Sequence, residues 1–79
     1  MAEDKRFILA KLALEQGDRF QARDQLASLL KEDQDNIEYW LLMSTVVESN
    51  KERIYCLNKV LELDPEDELA RKELTKLGY

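Results

Sequence analysis

Apolar residues recur along this chain at helical spacing, and short polar interruptions divide them into five segments. The first, about residues 3 to 16, carries Phe7, Ile8, Leu9, Ala10, Leu12, Ala13 and Leu14 and ends at Gly17-Asp18. Asp18, with Gln21 three residues on, has the form of a helix cap. The second segment places Ala22, Leu26, Leu29 and Leu30 at helical spacing and fades in Lys31-Glu32-Asp33-Gln34. Asp35 or Asn36 opens a third, about residues 36 to 48, with Trp40, Met43, Ser44 and Val47 on one stripe. Ser49-Asn50-Lys51-Glu52 has the Ser-x-x-Glu form of a capping box and opens a fourth, about residues 50 to 63. The only proline, Pro65, then follows Asp64. Asp64 suits an N-cap and Pro65 a first helical position, where an N–H is not needed. This predicts a fifth helix over about residues 65 to 77, ended by Gly78. Leu69, Leu74 and Leu77 are expected to cover the preceding helices, with Arg71, Lys72 and Lys76 left to solvent. The expected fold class is all-α, built of antiparallel helix pairs and a terminal helix. An irregular helical bundle is the alternative.

The segments also repeat. Phe7, Leu9 and Ala10 align with Leu41, Met43 and Ser44, 34 positions on, while Leu26, Leu30 and Asp33 align with Leu57, Leu61 and Asp64, 31 positions on. The second unit is therefore shorter in its internal turn. A helix-turn-helix period of about 34 residues is that of the tetratricopeptide repeat. The chain resembles that family through Ala10 ahead of Gly17-Asp18, Ala22 and Leu26, then through Trp40, Ser44, Leu57, Val60, Leu61 and Leu63-Asp64-Pro65. Arg6, Arg53 and Gln34 depart from the family pattern, as does the short turn after Glu48. The resemblance implies one domain over residues 1–79, with units of about 3–34 and 37–65 and a terminal helix of about 65–77.

Length and charge narrow the function classes. Seventy-nine residues make one small domain, and a neighbouring copy or a partner would add to its limited core. Twelve Lys and Arg against seventeen Asp and Glu leave a net charge of -5, which argues against a nucleic-acid partner, since phosphates call for a basic footprint. No apolar run approaches the roughly 18 residues of a membrane span. Met-Ala-Glu-Asp lacks the basic start of a signal peptide, so a cytoplasmic protein is expected.

Candidate chemistry is sparse. There is no histidine, so no Ser-His or Cys-His pair is available, and a non-enzymatic protein without cofactor or metal is expected. Cys56, the only cysteine, reads as a small buried hydrophobe. The acidic clusters Asp33-Asp35-Glu38 and Asp64-Glu66-Asp67-Glu68 lack the glycine and spaced glutamate of a calcium loop and suit helix starts, where the dipole favours carboxylates. On the repeat reading both lie on one edge, which would meet a basic partner.

Two surfaces then compete. By resemblance to the family, Phe7, Lys11, Leu14, Leu41, Leu42 and Thr45 line a concave groove for a peptide or protein segment. The family's carboxylate-gripping Lys and Asn pattern is not met at Phe7 and Lys11. Phe7, Leu41 and Leu42 packing on one another is an equally open reading. The first segment is also apolar over more than one buried stripe requires, with Lys11 the only polar residue from Phe7 to Leu14. Ile8 and Leu12 lie outside its inward stripe and are candidates for self-association, as a homo-oligomer or an end-to-end stack. The expectation is a protein-interaction module of tetratricopeptide type, with a self-associating structural subunit as the alternative.

Overall fold

The computed structural model describes residues 3–78, which form five α-helices: α1 Lys5–Glu15, α2 Arg19–Glu32, α3 Ile37–Val46, α4 Asn50–Leu63 and α5 Glu68–Lys76. The chain is all-α, with no strand among the described residues. Each helix opens on a short polar side chain in a non-helical backbone. Asp4, Asp18, Asn36, Ser49 and Asp67 accept from the amides of Arg6, Gln21, Tyr39, Glu52 and Ala70 respectively. Each cap satisfies one amide that the first helical turn leaves without a partner. At Ser49 the hydroxyl also donates to Glu52 Oε1 at 3.0 Å.

The proline does not start α5. Asp64 ends α4, its carbonyl accepts from the Asp67 amide at 3.1 Å, and Pro65 and Glu66 form the turn between them. Pro65 thus holds the second position of a tight turn, where its fixed φ is equally at home, and the cap passes to Asp67. Both sites tolerate proline for the same reason, so residue type alone does not separate them. The same backbone bend opens the α2–α3 connection. Asp33 and Asp64 have backbone angles of -142°, 91° and -143°, 92°. Each aspartate side chain accepts from the amide two residues on, at 3.2 and 3.1 Å.

The later start of α5 changes its inward stripe. Ala70 and Leu74 are buried and Leu77 packs beside them, whereas Leu69 is 54% exposed. Ala70, Leu74 and Leu77 follow i, i+4, i+7, a better helical stripe than one starting at Leu69.

Three-residue and four-residue connections fold the helices back on one another as hairpins. Arg6, at the start of α1, donates to Ser28 Oγ at 2.9 Å and to Glu32 Oε2 at 2.7 Å near the end of α2, so these two helices are antiparallel. The rings of Phe7 in α1 and Tyr39 in α3 lie 5.0 Å apart, which sets these two odd-numbered helices side by side. Two apolar clusters result. One gathers Phe7, Ala10, Ala13, Ala22, Leu26, Leu29 and Val46; the other gathers Leu30, Trp40, Val47, Cys56, Leu57, Val60, Ala70 and Leu74. Tyr39 and Met43 pack against both and join them.

Helix α3 ends without a glycine, and two arginines take its last carbonyls. Arg53 Nε donates to Ser44 O at 3.0 Å, and Arg19 Nη2 donates to Thr45 O at 3.2 Å and Val47 O at 3.3 Å. Cations at a helix C-terminus satisfy free carbonyls and oppose the dipole. Arg53 therefore caps α3.

Arg6 binds Asp4 as well as Glu32. Its guanidinium, hydrogen-bonded to the Asp4 carboxylate, holds that group down at about 2 and lowers Glu32 in the same way. Depressed carboxylates stabilise the fold above their ordinary range, and that contribution disappears as pH falls through the folded value. Arg6→Met should therefore flatten the loss of thermal stability between pH 3.8 and about 2. Melting temperatures across that range would show it, and a variant as steep as the parent would mean the network contributes nothing.

Candidate functional site

Leu41, Ser44 and Thr45 stand at i, i+3, i+4 on α3, so they share a face. Leu69 and Glu73 share a face of α5 by the same spacing. The two faces, with Arg53 and Leu57 of α4 beneath, line a cleft of about 240 Å³. Its floor is buried, with Leu57 fully covered and Ser44 nearly so, while Leu69 and Thr45 stand at the exposed rim.

The polar groups of this cleft are largely committed. Ser44 Oγ donates to Leu41 O at 2.6 Å and Thr45 Oγ1 to Leu42 O at 2.7 Å. Arg53 spends Nε on Ser44 O and Nη1 on Asn50 Oδ1, at 3.0 Å each. Glu73 pairs at 3.3 Å with Lys76. What remains is an apolar recess with the Arg53 guanidinium beneath and Glu73, paired with Lys76, at its edge. That arrangement accepts an apolar side chain, and it brings no base to either hydroxyl.

The residues expected to form one groove are divided by the fold. Leu41 and Thr45 line the cleft. Phe7 is only 5% exposed, packed on Tyr39, and Leu14 and Leu42 are half-buried against the same first cluster. Phe7 is thus part of the core and not a contact surface. Lys11 lies over the Phe7 ring at 4.6 Å and pairs with Glu3 at 2.9 Å. Ile8 and Leu12 are 41% and 46% exposed, as is Leu9 at 46%.

A second recess of about 410 Å³ lies between α3 and α4, lined by Trp40, Met43, Val47, Lys51, Glu52, Tyr55 and Cys56. The Trp40 and Tyr55 rings meet edge to face at 6.0 Å. Burial, with a smaller contribution from Glu52, pushes the Cys56 thiol up to about 11, so it stays protonated at neutral pH.

Arg53, Leu69 and Glu73 were not legible as site residues. Arg53 is one of many surface-type cations in the sequence, and Leu69 at its spacing reads as core. Among the described residues no group of three or more His, Cys, Asp or Glu is placed to hold a metal ion. No helix among them is long and apolar enough to cross a membrane. Comparison of the chain with protein-family models, with curated proteins and with solved structures finds no match.

Proposed function

We propose that this chain is a non-enzymatic, cytoplasmic protein-interaction module of tetratricopeptide type that holds a segment of another protein in the α3–α5 cleft. The observation that carries this reading is the cleft itself, where Leu41 and Leu69 flank a recess with a buried apolar floor. The recurrence of one turn at Asp33 and Asp64, with small residues Ala10 and Ser44 buried at equivalent places, supports the repeat resemblance.

The segment should be basic beside its apolar anchor. Alternating hairpins bring the acidic α2–α3 and α4–α5 turns, with Asp33, Asp35, Glu66 and Asp67, to one edge. Opposite charge on the partner would speed encounter and set its direction.

A displayed library of short peptides should yield binders with an apolar residue next to Lys or Arg. Leu41→Ala and Leu69→Ala should each weaken them about tenfold, the effect of about 1.4 kcal/mol of lost apolar contact. Because Leu69 is exposed, its loss should leave the helical content unchanged. Selected peptides that bind both variants as well as the parent would remove the cleft as the working surface.

A further inference from the structure

We infer that α1 is a dimerisation helix, through which two copies of this chain join in an antiparallel, two-fold symmetric contact centred on Ile8 and Leu12. This surface is separate from the α3–α5 cleft and does not depend on it.

The buried residues of α1, Phe7, Ala10 and Ala13, occupy one side. Lys5, Ile8, Leu12 and Glu15 run along the opposite side, all exposed. Their spacing of three, four and three positions is that of a seam along which two helices pack. Leu9, also exposed, flanks it.

The repeat shows what such positions do when covered. Ile8, Leu9 and Leu12 correspond, one unit further along, to Leu42, Met43 and Val46, and those three all pack against the cluster built by α1 and α2. Among the described residues nothing covers the same face of α1, where Ile8, Leu9 and Leu12 are exposed.

Which occupant fits is decided by symmetry and charge. At the other end of the described residues, α5 presents Arg71, Lys72, Thr75 and Lys76 to solvent, with Leu69 as its one exposed large apolar side chain, which is no match for the apolar stripe of an incoming α1. An open end-to-end stack therefore buries less apolar surface than α1 against itself, and the association closes on itself. Turned end for end, the line Lys5, Ile8, Leu12, Glu15 meets its own complement: Ile8 faces Leu12 of the second copy, and Lys5 faces Glu15. A parallel contact would set Lys5 against Lys5 and Glu15 against Glu15. No ion pair among the described residues engages Lys5 or Glu15. On the flank, Lys11 is already paired with Glu3 at 2.9 Å, so its charge does not oppose the contact.

Three apolar side chains per copy make a seam smaller than the roughly 1,200 Å² at which standard stable interfaces begin. The dimer should accordingly be concentration-dependent. Its end charges should make it weaker in high salt.

Sedimentation equilibrium of the whole chain tests this. The mass should rise with concentration from 9.3 kDa toward twice that value and stop there. Lys5→Glu alone and Glu15→Lys alone should each weaken the dimer about tenfold, while the two together restore it. Ile8→Ser with Leu12→Ser should abolish it, with circular dichroism confirming that each variant keeps its helices. A parent chain that stays monomeric to about 1 mM would overturn the proposal. So would growth beyond two chains, or folded single charge variants that associate like the parent. A double charge variant that folds but does not recover would overturn the antiparallel register.

Discussion

Leu26→Ala and Leu57→Ala are each expected to cost about 2 to 5 kcal/mol of folding stability. Both side chains are 0% exposed, and they lie 31 positions apart in the chain, one in each apolar cluster. A chain of this length has about 4 to 12 kcal/mol in all, so either change should remove a large share. Truncation takes away the transfer of the lost methyl groups from water and leaves a cavity that Ala10 and Ala22, or Val60 and Cys56, are too small to fill. Urea denaturation would show both midpoints falling. A loss under about 1 kcal/mol at either site would mean that its cluster is loosely packed and that the buried leucine is not central.

Trp40→Ala should be at least as damaging, at about 3 to 5 kcal/mol. The indole is buried in the second cluster, its edge meets Tyr55, and its Nε1 donates to Gln34 O at 2.8 Å. That last contact ties α3 to the turn that precedes it. Trp40→Phe keeps most of the apolar contact and leaves the Gln34 carbonyl unpaired by the side chain. It should cost about 0.5 to 1.5 kcal/mol for the lost hydrogen bond, plus the smaller ring. Since Trp40 is the only tryptophan, unfolding of both variants is best followed by circular dichroism. Equal losses for the two would place the energy in the hydrogen bond and not in the packing.

Much of the fold was legible because its signals are local. Asp18 and Ser49 were readable as caps, and Asn36 as one of two candidates with Asp35, since a cap is set by one side chain and an amide at most three positions away. Pro65 misled for a related reason: a fixed φ suits a turn as well as a first helical residue. Leu69 was misassigned with it, because moving a helix start changes which residue begins the inward stripe, and the small Ala70 gave little sign that it was the anchor.

The site was less legible than the fold. Leu41 and Thr45 were legible only through the family resemblance, and both line the cleft. Arg53 and Glu73 were not, since their roles depend on contacts between helices. The family resemblance makes Phe7 a groove position, and its packing in the first cluster and against the Tyr39 ring makes it core.

The sequence by itself determined five helices, several of their caps, their order, their all-α class and the exposure of Ile8 and Leu12 beyond the inward stripe. Those features rest on helical periodicity and on hydrogen bonds between near neighbours in the chain. Only the tertiary structure decided that Phe7 is core, that Leu69 is rim, and that Arg19 and Arg53 close the end of α3. Each of those outcomes depends on which helix lies against which, and residues far apart in the chain, such as Arg19 and Thr45, meet only when the hairpins pack.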